Sequence, residues 1–360
     1  MMKNTFHRIG VVILCTCALV VLVLQANRNG SRPLSCFERR ATHDAAIDGR
    51  NQHRTIECGA KPSLIVFALY GVLERARNCH TSVNEMNVFR AATFNYTIPH
   101  VRIGFGMDMN GQRVDKVRIS RSETNKHIAA LNLSQLSFVK VATIDAAVDG
   151  IYCKAEDVCL RELCKRPFWR YDYGKVKIRH AMRAMYCEYG IANMLREQFD
   201  TDAHARIVVV VLSADVMLNK PLQEADIIHA ACSHDKVFLT QNNDGLDGYT
   251  DGFYVGHIDA MKAVLSTFER LPLHFDSTLR EQPYEFLIKA TCDRLNITRV
   301  VLRGFGNFLK DFVKIRATGQ IFGKLPCGLK NHINFEGCPQ LQNSECSADA
   351  SRTMRALLLG

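Results

Sequence analysis

The sequence predicts an α/β fold in which a sheet of parallel, fully buried strands is covered by helices. Three stretches carry the prediction. Residues 207–212, IVVVVL, form an unbroken β-branched and leucine run, the pattern of a strand buried on both faces. Residues 63–70, SLIVFALY, repeat it. Between them, residues 175–199 place Ile178, Met182, Met185 and Tyr189 three and four positions apart, which predicts a helix with one buried stripe.

Taken in order, the chain opens with a short basic start, residues 1–8, containing Lys3 and Arg8. Residues 9–26 are apolar apart from Thr16 and Gln25, without a small-X-small cleavage site, so an uncleaved transmembrane signal anchor is expected. Arg28, Arg32, Arg39 and Arg40 beyond it outnumber Lys3 and Arg8, so charge alone does not fix the orientation. Asn-X-Ser/Thr sequons at Asn29, Asn95, Asn132 and Asn296 favour a lumenal body. Of the 14 cysteines, Cys15 and Cys17 lie in the apolar segment; the twelve others suit disulfides in an oxidising compartment. No Cys-X-X-Cys pair occurs.

Residues 27–58 are polar and aperiodic and read as a stem, before a body of residues 59–320 and a cysteine-bearing tail, residues 321–360. Within the body, 63–70 is the first strand, Gly71 its turn, and a helical pattern runs to about residue 92. Residues 101–105 and 138–144 read as strands and 157–165 as a short helix. Phe168, Trp169, Tyr171 and Tyr173 form an aromatic cluster, read as core packing or as a platform for a sugar ring. Lys175, Arg179 and Arg183 recur at every fourth position and make a basic stripe, by default a solvated face.

The 207–212 strand stops at Ser213, Ala214 and Asp215, which sets a carboxylate where the strand leaves the sheet. Ligands of open α/β sheets bind outside the carboxyl ends of the strands, so Asp215 is the leading site residue. Further on, 237–240 reads as a strand, 242–248 as a polar loop, 259–270 and 279–294 as helices, and 297–302 and 312–315 as closing strands.

At Ser213-Ala214-Asp215-Val216, followed by Lys220-Pro221-Leu222, the chain resembles GT-A fold glycosyltransferases, and in particular a group with Arg-Pro-Asp-Val at this point. The resemblance extends through Tyr70-Gly71, Ser82 to Asn87, the Asp251-Gly252-Phe253-Tyr254 segment, Tyr284-Glu285-Phe286-Leu287, and Arg316 in Lys-Ile-Arg-Ala. It implies a Rossmann-like GT-A domain that binds a nucleotide-diphosphate sugar. Asp215 would then hold a divalent metal, Mn or Mg, although Ser213 stands where the family carries the first Asp of Asp-X-Asp. It implies donor contacts from Tyr70, Gly71, Lys175, Arg179, Ser213 and Arg316, and acceptor or base roles for Asp251 and Glu285. Asp251 reads equally well as a turn cap, and Gly71 as an ordinary turn glycine.

The whole predicts a Golgi or ER single-pass type II membrane glycosyltransferase that moves a sugar onto a glycan or glycoprotein acceptor. Two other readings stand beside it: a non-catalytic lumenal protein that binds glycan or nucleotide sugar, and an interaction protein unrelated to sugars. The net charge of +10 is spread along the chain without a lysine or arginine block, so no nucleic-acid partner is expected. A serine-hydrolase elbow, a dinucleotide Gly-X-Gly-X-X-Gly and a phosphate loop are all missing from the sequence.

Overall fold

Four strands run parallel in the order Ile207–Ser213, Leu64–Gly71, His100–Asp108 and Gln135–Lys140, which sets the two unbroken apolar runs inside the sheet, where helices cover both faces. The computed structural model describes residues 61–75, 98–120, 131–150, 172–173, 176–199, 206–218, 222–240, 252–274, 284–303 and 312–316, with a few isolated positions and residue pairs besides. The apolar segment 9–26, the stem, Asn29, Asn95, Phe168 to Tyr171, Lys175 and Asp251 lie outside them. All described residues belong to one unit, Thr55–Gly360. No helix among them is long and apolar enough to cross a membrane.

In chain order the elements are β1 (Leu64–Gly71), β2 (His100–Asp108), β3 (Arg113–Val114), β4 (Val117–Arg118), β5 (Gln135–Lys140), α1 (Val141–Val148), β6 (Asp172–Tyr173), β7 (Val176–Lys177), α2 (Ile178–Phe199), β8 (Ile207–Ser213) and β9 (Val216–Leu218). They continue with α3 (Glu224–Ala231), β10 (Lys236–Leu239), β11 (Phe253–His257), α4 (Ile258–Val264), α5 (Thr267–His274), α6 (Tyr284–Arg294), β12 (Thr298–Val301), β13 (Phe312–Ile315), β14 (Ile321–Phe322), β15 (Leu325–Pro326) and β16 (Cys346–Ser347). The seven-stranded sheet has the order β12-β10-β11-β8-β1-β2-β5. Only β11 is antiparallel to its neighbours. A smaller sheet, β14-β13-β9, is built on the strand that continues directly from β8.

Side-chain alternation divides the core into two layers. Ile65, Phe67 and Leu69 of β1 and Val208, Val210 and Leu212 of β8 pack in one cluster with Ile227, Ala230 and Ala231 of α3. The intervening Val66, Ala68, Val209 and Val211 are fully buried toward the opposite face, where α2 packs on β1 and β2. Each such aliphatic side chain contributes about 1.5–3 kcal/mol on burial.

Several boundaries differ from the sequence expectation. The strand expected over 138–144 ends at Lys140, and α1 begins at once; the β-branched Val141 and Ile144 of that helix mimic a strand. The helix expected over 259–270 is two, α4 and α5, parted at Leu265 and Ser266. Ser266 Oγ donates to the Lys262 carbonyl at 2.7 Å and Thr267 Oγ1 to that of Val264 at 2.7 Å, so hydroxyls compete for the helix carbonyls at the break. Of the helix expected over 279–294, the described part is Tyr284–Arg294. Of the basic stripe on α2, Arg183 is no solvated charge: it clamps Asp145 of α1 through two bonds, of 2.9 and 2.7 Å. Cys187 and Cys292 are buried free thiols, so disulfide pairing does not extend to these two cysteines.

Candidate functional site

The ends of β1 and β8 meet the start of β11 at one point of the sheet. The Ala214 N–H donates to the Tyr70 carbonyl at 2.8 Å, and the Ser213 N–H donates to the Gly252 carbonyl at 2.8 Å. Gly71 has φ +100° and Gly252 φ +86°, a region that side chains with a Cβ rarely enter, so both turns require glycine. A Cβ on either would lie 3.5–4.0 Å from the Ser213 side chain, so these two turns flank Ser213 closely.

Asp215 follows in the two-residue turn between β8 and β9 and is 3% exposed. Its Oδ1 accepts the Ser213 hydroxyl at 2.7 Å. Its Oδ2 accepts Arg75 Nη1 at 2.9 Å, with Arg316 Nη1 at 3.5 Å. Its own carbonyl accepts the Ile315 N–H at 2.7 Å, which fastens the end of β13 beside it. Burial pushes the carboxyl upward, but the charges of Arg75 and Lys314, the Ser213 hydrogen bond and the charge of Arg316 outweigh it. The folded pKa is therefore below the ordinary carboxylate value. Arg75 also faces Asp115, whose Oδ2 lies 3.4 Å from its Nε.

Of the residues expected at the site, Tyr70, Gly71, Ser213, Asp215 and Arg316 are brought together here. Glu285 opens α6, and its carbonyl accepts the Tyr249 N–H at 2.8 Å, which ties it to the segment entering β11. Of the helix expected over 175–199, α2 covers Ile178–Phe199. The side chain of Arg179, like Lys175 and Asp251, lies outside the described residues. Arg75 is the residue that the sequence reading missed. It falls in a stretch read as the start of a helix, and no spacing announces a partner 140 positions away.

Both oxygens of Asp215 are engaged by a hydroxyl and by guanidinium groups, so Mn or Mg at this point would compete with these cations and take most of its donors from a bound diphosphate. The group suited to a metal, His234, His257 and Asp259, lies elsewhere. His257 pairs with Val208 at the start of β8, about 20 Å along the strand from Asp215. Asp259 there is held well below the usual carboxylate range, by His234 first and then by His257.

No protein-family model matches the chain, and no curated protein matches it. Among solved structures it is similar to mouse xyloside xylosyltransferase 1 in its apo form, with 11% identity over 66% of this chain and 84% of that one, at TM-score 0.34. It is also similar to the galactosyltransferase LgtC, solved with donor and acceptor sugar analogues, with 11% identity over 63% of this chain and 69% of that one, at TM-score 0.31. The glycosyltransferase GlyE of Streptococcus pneumoniae matches with 10% identity over 68% of this chain and 45% of that one, at TM-score 0.33. Scores of this size do not establish a common fold. The architecture stands on its own strands as a mixed α/β unit with a central sheet.

Proposed function

We propose that the protein is a GT-A type glycosyltransferase whose nucleotide-diphosphate sugar sits across the ends of β1 and β8. The observation that carries the reading is the cation set around Asp215. Arg75, Lys314 and Arg316 converge from two distant segments on the point where a doubly buried strand leaves the sheet. Sugar transfer needs the departing diphosphate neutralised, and preorganised guanidinium and ammonium groups meet that need without a metal. Asp215 acts as the counter-ion that holds the arginines in place while the site is empty. Gly71 and Gly252 let backbone approach the ligand closely. Asp251 and Glu285 are the carboxylates proposed for the acceptor side, one of them to take the proton of the attacking hydroxyl. The membrane anchor at residues 9–26, the lumenal body and the Golgi or ER location belong to the same proposal, and rest on the apolar run and the sequons. Asn132 and Asn296 are both exposed, with φ of +48° and +54°.

The test is turnover of UDP-, GDP- and CMP-sugars by the full chain, with Mn and with chelator, beside Asp215→Asn and Arg316→Ala. Turnover of one donor that survives chelation and is lost in both variants is expected. Absence of both turnover and binding for every donor would defeat the reading. A second reading, a nucleotide-sugar binder without turnover, is favoured by Ser213 at the first motif position and by the engaged oxygens of Asp215. Donor-induced stabilisation without turnover would select it.

A further inference from the structure

We propose that His234, His257 and Asp259 form a structural site for a divalent transition metal of the zinc, cobalt or nickel class. The site is independent of the sugar-transfer reading, since it lies at the opposite end of β8. His234 comes from the link between α3 and β10, His257 is the last residue of β11, and Asp259 lies in the first turn of α4. The ligand atoms of all three lie within 4.8 Å of one another.

Both histidines converge on one carboxylate oxygen. His234 Nδ1 is 2.8 Å and His257 Nδ1 3.3 Å from the same oxygen, Asp259 Oδ2. Zinc bonds of about 2.0–2.2 Å in a tetrahedron set neighbouring ligand atoms roughly 3.3 Å apart. The two imidazole rings stand 3.8 Å apart, centroid to centroid, close enough for a single cation to be shared by both rings and the carboxylate.

Helix capping does not explain the choice of histidine. His257 Nδ1 accepts the Asp259 N–H at 3.3 Å as the cap of α4, a task that Asn or Ser performs with a smaller polar group; on metal binding the single Nδ1 lone pair exchanges this long bond for the ion. His257 is 3% exposed, and its Nε2 is buried with no hydrogen-bond partner, a cost that a cap alone does not require. His234 at 34% and Asp259 at 57% side-chain exposure leave the open side to solvent, which provides an entry path and a fourth ligand from water. Two imidazoles and a carboxylate favour zinc, cobalt or nickel over magnesium or calcium. Bound there, the ion would staple the α3–β10 link to the junction of β11 and α4.

The experiment uses the full chain, stripped with chelator and dialysed. Co(II) alone is titrated while its visible ligand-field bands are followed, and Zn(II) is then added in competition; His234→Ala and Asp259→Asn are run alongside. Asp259 is exposed and His234 partly so, and neither belongs to the core, so the variants are expected to keep the wild-type circular dichroism. The expected result is one saturable equivalent of metal with a rise in Tm, and affinity reduced by more than about tenfold in each variant. If neither variant weakens binding, the metal sits on other groups, such as cysteines, and the proposal is overturned. It is overturned equally if the wild type binds no metal at saturable stoichiometry. His257→Asn, which preserves the cap, separates capping from ligation: it is expected to lose the metal while keeping the fold.

Discussion

Arg75 Nη1 lies 2.9 Å from Asp215 Oδ2 and joins the turn after β1 to the turn after β8 across 140 positions of chain. Because Asp215 is buried, removing the guanidinium leaves a desolvated charge with weaker compensation. Arg75→Met is expected to cost about 3 kcal/mol, at the lower end for a broken buried pair because Arg316 and Lys314 remain. Urea unfolding at neutral pH measures it. A loss under half a kilocalorie would mean that the pair carries little of the local electrostatics.

The same carboxylate sets a pH signature. Its folded pKa is below that of the unfolded chain, about 3.9, so its contribution is complete above that value and fades as pH falls through the folded pKa. The stability gap between wild type and Asp215→Asn should be constant from pH 7 to about 5 and close below about 4. The comparison with Asn isolates this group from Asp226, whose carboxyl burial pushes upward and whose contribution has the opposite sign. A gap that widened on acidification would reverse the assignment.

Much of this was legible in the sequence. The runs 207–212 and 63–70 declare buried parallel strands because nothing polar interrupts them, and a carboxylate at the end of such a run marks the ligand end of a sheet. Arg75 was not legible, because its meaning depends on a register between β1 and β8 that no local pattern encodes. Arg183 was misread for a similar reason: its periodicity matches a solvated stripe, and Asp145, which makes it structural, sits on another helix. The split between α4 and α5 turns on two hydroxyls whose choice of carbonyl is decided by packing.

Gly190 on α2 tests how closely that helix lies on the sheet. A Cβ there would stand 2.5 Å from Cδ2 and Cε2 of Phe105 on β2. Gly190→Ala gains up to about 1 kcal/mol of helix propensity, but overpacking costs about 1–3 kcal/mol. A lower Tm is expected, and a higher one would show that α2 can lift from β2 freely.

In the core, the Tyr254 hydroxyl donates to Glu188 Oε1 at 3.0 Å between β11 and α2. Tyr254→Phe keeps the ring and deletes the donor, so a destabilisation of about 1–3 kcal/mol follows from the buried acceptor left behind. Denaturant midpoints for Tyr254→Phe, Glu188→Gln and the double variant would give the coupling directly. Strict additivity would place the two groups in separate environments.

The backbone bond from Ile315 to Asp215 has a consequence for biosynthesis. A ribosome releases β1, Arg75 and β8 long before it reaches Lys314 and Arg316, so the emerging chain holds a central carboxylate with only part of its charge balance. The charge balance of Asp215 is therefore completed only after the main sheet, by β13 and the residue that follows it. A premature stop between Val301 and Phe312 would leave all seven strands of the main sheet present, yet without Lys314 and Arg316 beside Asp215.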